Sequence, residues 1–169
     1  MPRRRAAEKC LAAMSFAFFV SGCGGGAARS ARGAVGPRAK EENPKSLYFR
    51  LGGERTIAAL VDELIPRAAL DPRVNFFRKG TAREWQPTPE NVAHLKKMFV
   101  EYLGAVTGGP LKYDGKDLKT AHAGMNINAS EFDALVADFR AALDKLGVAG
   151  KEREEFLALV LSARGEVEG

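Results

Sequence analysis

Cysteine is scarce in this chain, and its placement excludes one class of fold. The 169 residues include two cysteines, Cys10 and Cys23, and both lie near the amino terminus. Two thiols at one end cannot cross-link a domain that lies downstream, so a disulfide framework is excluded there. The downstream part of the chain must rest on a packed core, for which a 46% share of hydrophobic residues is ample.

Long hydrophobic runs are also missing, because a membrane-spanning helix needs about 20 apolar residues. The longest run, Cys10 to Val20, is much shorter than that. It follows a basic stretch from Arg3 to Lys9 and precedes small residues. This order is typical of a cleaved export signal, so we predict a signal peptide over residues 1–22.

The end of that signal predicts an attachment to a membrane. Val20-Ser21-Gly22-Cys23 resembles the bacterial lipobox, in which the cysteine becomes the lipidated first residue after cleavage. Ordinary cleavage is the alternative. We predict an exported lipoprotein on the periplasmic face of the outer membrane or elsewhere in the cell envelope. Gly24 is not the aspartate that commonly signals retention in the inner membrane, which favours the outer membrane.

Apolar side chains are few between Gly24 and Lys45, where glycine, alanine and arginine dominate. Such a composition does not offset the entropy of ordering, so we predict a flexible tether over residues 23–45. The formal net charge of +5 belongs to this amino-terminal part, because residues 46–169 carry 17 basic and 18 acidic side chains. A folded domain over 46–169 therefore has no basic excess, and we expect no nucleic-acid partner.

Strand-like alternation is absent from Ser46 onward, where apolar residues recur at helical spacing. The pattern predicts an all-α domain. Pro66 is expected to kink or end the first long helix, and Ser130-x-x-Asp133 resembles a capping box that opens a later one. The predicted helices cover residues 47–51, 54–69, 89–106, a short segment ending near His122, one from about 130, and 151–163. The last helix is expected to bury Phe156, Leu157, Val160 and Leu161.

His122 is the candidate metal-binding residue. Leu118 and His122 are four residues apart and share one face of a short helix, so the imidazole should project from an apolar surface. That is the arrangement of an axial ligand to haem iron. A single histidine on a half-apolar helix is nevertheless more often packed or solvated than bound to a metal.

Several motifs together are more specific than this histidine. They are Leu51-Gly52-Gly53-Glu54, Asp71-Pro72 with Phe76-Phe77, Gly108-Gly109-Pro110 with Tyr113-x-Gly115, Ala121-His122 and Phe132-Asp133. They occur in the order found in the group one truncated, or two-over-two, globins, which the chain resembles over about residues 46 to 165. The resemblance implies a two-over-two helical sandwich that holds haem b and binds a diatomic gas, either O2, CO or NO.

The same resemblance implies a set of site residues. His122 matches the proximal iron ligand, and Phe77 matches the phenylalanine that packs against the haem face. Leu118, Ile127 and Phe132 would make the proximal and edge contacts, with Leu95 and Phe99 on the distal helix. Plain core packing is the alternative for the apolar members of this set.

The chain departs from the family on the distal side. Group one globins usually carry a tyrosine where this chain has Leu64-Ile65, and a polar group where it has Phe99. We therefore expect weak oxygen binding or ready oxidation. His94 and Met98 flank Leu95, and either one as a second iron ligand would make an electron-transfer or sensing haem protein with six-coordinate iron.

Two further interpretations stay open. A cofactor-free helical module for a protein partner would need no haem at all. If the chain is an enzyme, the resemblance points to an activity like nitric oxide dioxygenation. The sequence identifies neither the physiological gas nor a reductase.

Overall fold

The computed structural model describes residues 43–169, so the predicted signal peptide and most of the predicted tether lie outside the described residues. Within this range the chain forms helices and no strand, as predicted. None of these helices combines the length and the apolarity that crossing a membrane requires. They are α1 (Leu47–Leu51), α2 (Glu54–Leu70), α3 (Pro89–Val106), α4 (Leu118–His122), α5 (Ala129–Lys145), α6 (Gly150–Ser162) and α7 (Arg164–Val167).

The long helix α2 forms the centre of the core. Ile57, Leu60, Val61 and Leu64 follow helical spacing and are at most 1% exposed. The helix packs on α3 along one side and on α5 along another, and α5 packs in turn on α6. The pairs α2–α3 and α5–α6 form the predicted two-over-two arrangement.

Glycines allow two tight connections beside this core. Gly52 ends α1 with a φ of +103°, a conformation that costs glycine little, and its N–H donates to Phe49 O. After α3, the Gly109 backbone lies so close to Tyr48 that an added Cβ would sit 2.5 Å from the ring. Both connections therefore hold α1 against the bundle.

The helix ends agree with the predictions in one place and differ in another. Thr88 caps α3 as predicted, because its side chain accepts a hydrogen bond from Asn91 N at 3.2 Å. The predicted capping box at Ser130 and Asp133 is wrong. The box is formed by Asn128 and Glu131, whose side chains each accept from the other's backbone N–H, so α5 begins at Ala129.

Two other expectations need correction. An end of α2 at Pro66 is wrong, since α2 continues to Leu70 with the exposed Pro66 inside it. The alternative expectation, a kink at Pro66, stays a prediction. Of the four residues that the last helix is expected to bury, Phe156 and Leu157 are buried, Val160 is half-buried and Leu161 is 44% exposed. The short helix α7 was not predicted, because four residues are too few to show a periodicity.

Candidate haem site

The His122 side chain is held in one tautomer by its own helix. Its Nδ1 lies 2.8 Å from Leu118 O. A carbonyl oxygen only accepts hydrogen bonds, so Nδ1 carries the proton and donates it. Nε2 is then left with its lone pair, which is the form of imidazole that coordinates a metal. Leu118 and His122 are four residues apart, which places them on one face of the helix and also makes the bond between His122 Nδ1 and Leu118 O possible.

The proximal helix α4 is short and only partly covered. Asp117 caps it by accepting from Thr120 N at 2.9 Å, and none of its five residues is fully buried. Leu118 and His122 are half-buried, and so is Ile127 in the following loop. This side therefore combines half-buried apolar side chains with one imidazole nitrogen whose lone pair is free.

The distal side is built on α3 and α2. Leu95 and Phe99 are four residues apart on α3, half-buried, and packed against the core cluster. Ile65 on α2 is 6% exposed and belongs to that cluster. No hydrogen-bond donor is offered by any of these three side chains, in agreement with the departure seen in the sequence. His94 is exposed, whereas Met98 is half-buried.

Direct contact between α3 and α4 is at most marginal in the described part of the chain, because α3 packs on α2 and α4 packs on α7. The distal residues on α3 and the proximal residues on α4 therefore belong to helices with little direct contact. Each element keeps half-buried apolar side chains, which contrasts with the fully buried stripe of α2.

Phe77 belongs to an aromatic cluster in the loop after α2. Its ring stacks on Trp85 at 6.1 Å with an interplanar angle of 8°, and Phe76 meets both rings edge-on. Lys79 Nζ lies 5.7 Å from the centre of the Phe77 ring. Phe77 is half-buried, and Trp85 covers part of its ring surface.

A buried ion pair fixes this loop to the start of α5. Arg78 is 7% exposed and adopts a φ of +49°, and its Nη1 donates to Glu131 Oε1 at 3.1 Å. The Arg78 Nη2 also approaches Asn126 O at 3.4 Å. Burial by itself raises the pKa of Glu131, but the bonds from Asn128 N–H and Arg78 together hold that pKa below its ordinary value.

A tyrosine pair adds polar atoms that the sequence analysis did not single out. Tyr102 lies on α3, seven residues after Leu95, and its ring meets Tyr113 edge-on at 5.3 Å. Burial and the charge of Glu166 raise the pKa of Tyr102, so its phenol stays neutral. Tyr113 donates its own hydroxyl hydrogen to Lys116 O at 2.6 Å.

Comparison with known proteins agrees with this geometry. The model of the family described as bacterial-like globin matches residues 46–168. The chain belongs to this globin family.

Its relatives include group 1 truncated hemoglobins. The protein of Tetrahymena pyriformis is 31% identical over 126 residues, covering 75% of this chain and 97% of the relative. The protein of Nostoc sp. strain MUN 8820 is 29% identical over 122 residues, covering 72% and 96%. The crystal structure of the Tetrahymena protein in its Fe(III) form superposes with a TM-score of 0.64 at 30% identity, covering 74% of this chain and 99% of that one. The predicted family and its two-over-two fold are therefore confirmed.

Membership of a globin family implies haem, and the residues of this chain fit that cofactor. The fixed tautomer of His122 leaves Nε2 with the lone pair that would coordinate the iron. Half-buried apolar side chains on α3, on α4 and in the loop after α4 provide the surface that a porphyrin ring needs. When bound, haem would supply an iron atom that can coordinate a small ligand.

The structure places the seven predicted site residues in four regions. Leu95 and Phe99 lie on α3 against the core; Leu118, His122 and Ile127 lie on and after α4; Phe77 lies in the aromatic cluster; and Phe132 is buried on α5 at 2% exposure.

Trp85, the Arg78–Glu131 pair and Tyr102 are not among the site residues that the sequence predicts. The apolar spacing of α3 does place Tyr102 on the same face as Leu95 and Phe99. A buried arginine with a positive φ has no sequence signal.

Proposed function

We propose that this protein is a haem b globin whose iron is held by His122 and binds a diatomic gas. The observation that carries the proposal is the hydrogen bond from His122 Nδ1 to Leu118 O. It orients the ring and fixes the tautomer, as partners of metal-bound histidines do. The name of the Nostoc relative, a group 1 truncated hemoglobin, supports the same function for this chain.

The distal residues favour a weak oxygen binder. A gas ligand that takes on partial negative charge, as dioxygen would, gains about 1–3 kcal/mol from a nearby donor, as for hydrogen bonds to charged groups. Ile65, Leu95 and Phe99 offer no such donor. Carbon monoxide is less polar and loses less, so the protein should bind CO while releasing oxygen quickly or oxidising to the ferric state.

Haem titration of the purified full chain tests the proposal. One equivalent of haem should give a Soret band, and His122→Ala should weaken haem retention because the iron–imidazole bond is the strong bond to the cofactor. Added imidazole should restore the band in this variant. His94→Ala is the matched control, since the chain has two histidines and His94 is exposed.

An unchanged spectrum and unchanged haem loss in His122→Ala would refute the ligand. Absence of a Soret band in the unsubstituted chain would favour the cofactor-free module for a protein partner.

The same spectra separate a gas-binding haem from a six-coordinate one. Met98 is half-buried beside Leu95, so it is a better candidate than His94 for a second iron ligand. Without added gas, a five-coordinate spectrum supports gas binding at an open position. A low-spin spectrum that Met98→Leu converts to high-spin would instead assign electron transfer or sensing.

We propose further that lipidated Cys23 attaches the protein to a membrane of the cell envelope. The support is the lipobox-like Val20-Ser21-Gly22-Cys23 and the composition of residues 23–45, both read from the sequence. A cysteine that carries two or more lipid chains anchors a protein firmly, whereas a single chain gives only marginal binding. In bacterial cells the full chain should fractionate with envelope membranes, and Cys23→Ser should not. A Cys23→Ser protein that stays with the membranes would exclude the lipid anchor.

A further inference from the structure

The proximal helix α4 is not stable on its own contacts. Five residues form little more than one helical turn, and so short a helix is unstable in isolation because nucleation is costly. None of its residues is fully buried. The helix ends at His122, and Gly124, two residues later, has a left-handed backbone conformation. The position of His122 must therefore be set by whatever packs on α4.

The segment 164–169 packs there. It begins with α7, whose buried residue is Val167 at 9% exposure, and α7 packs on α4 more extensively than on α6. Beyond α7, Gly169 N donates to Ile127 O at 3.2 Å, which ties the segment to the loop that follows α4. We call residues 164–169 the clasp.

Arg164 joins the clasp to the start of α5. Its guanidinium lies 4.6 Å from the centre of the Phe132 ring, which is within the range of a cation–π contact. It also donates to Asp133, and to Glu168 within the clasp at 2.7 Å. The clasp thus contacts the proximal helix, the loop after it and the first turn of the next helix.

We propose that the clasp is a positioning element for the proximal histidine, setting the orientation of the His122 ring towards the iron. Val167 and Arg164 act through the packing of α7 on α4 and through the contact with Phe132. The inference rests on the proposed function of His122 as iron ligand. Its structural part, that the clasp holds α4, stands without haem.

Hydrogen–deuterium exchange on the haem-free full chain tests the structural part. Val167→Ala removes the equivalent of about two buried methylene groups, so amides of residues 118–125 should exchange about tenfold faster. Val160→Ala is the matched control, because it removes the same atoms from α6 against the main core. Equal exchange of residues 118–125 in the two variants would overturn the clasp.

Resonance Raman spectra of the ferrous haem-loaded chain test the positioning part. The iron–histidine stretching band should shift or broaden in Val167→Ala and stay unchanged in Val160→Ala. Arg164→Lys should preserve the band better than Arg164→Met, since lysine keeps the cation over Phe132. A band that is the same in all four variants would overturn the positioning role. Failure to bind haem in the unsubstituted chain would instead refute the proposed function, and the exchange result would still decide whether the clasp holds α4.

Discussion

Restoring a donor at Ile65 should convert this protein into a tighter oxygen binder. Ile65 stands on α2 where group one globins usually carry a tyrosine, and its side chain is 6% exposed in the core cluster. Ile65→Tyr adds a phenol, and a hydrogen bond to the partly charged oxygen ligand is worth about 1–3 kcal/mol. That range corresponds to a roughly 5- to 150-fold slower oxygen release. Carbon monoxide should be affected much less.

The larger ring has a structural cost that must be separated from the hydrogen bond. Overpacking a filled core site destabilises a protein by about 1–3 kcal/mol. Ile65→Phe carries almost the same bulk without the hydroxyl, so it is the matched control. Stopped-flow displacement of oxygen by carbon monoxide, on the ferrous full chain, measures the release rate of each variant.

Two results would refute the reasoning. If Ile65→Phe slows release as much as Ile65→Tyr, the effect comes from packing and not from a donor. If the unsubstituted protein already releases oxygen as slowly as the tyrosine variant, a donor exists elsewhere in the pocket. Tyr102, on the same helix as Leu95 and Phe99, is then the residue to replace by phenylalanine.

The remaining predictions concern the scaffold and are read from urea unfolding of the haem-free chain. Asn128→Ala should cost about 1 kcal/mol by removing the cap of α5, while Ser130→Ala, at the box predicted in error, should cost less. The unfolding free energy should fall as pH drops below about 4.5, because Glu131 has a lowered pKa in the folded protein and must be protonated on acidification. Glu131→Gln should flatten this fall. An unaltered pH profile in that variant would contradict the role of Glu131. Gly109→Ala should destabilise by about 1–3 kcal/mol through the clash with Tyr48, whereas Gly165→Ala, whose added Cβ meets nothing within 4 Å, should not.

Much of the fold could be predicted because local signals agree along the chain. Thr88 and Pro89 begin α3, Gly52 ends α1, and the apolar spacing of α2 marks its buried face. The capping box was misplaced by two residues because Asn128-x-x-Glu131 and Ser130-x-x-Asp133 are both plausible caps. The choice between them depends on Arg78, which binds Glu131 from 53 residues away.

The sequence by itself determined the family, the all-α class and the choice of His122 as the candidate iron ligand, since motif order and the spacing of Leu118 and His122 are local properties of the chain. Only the tertiary structure decided what holds that histidine in place. The contact of α7 with α4, the cation–π contact of Arg164 with Phe132 and the bond from Gly169 N to Ile127 O join segments far apart in sequence. Such contacts leave no periodicity to read, because they depend on how the helices meet and not on the pattern within any one of them.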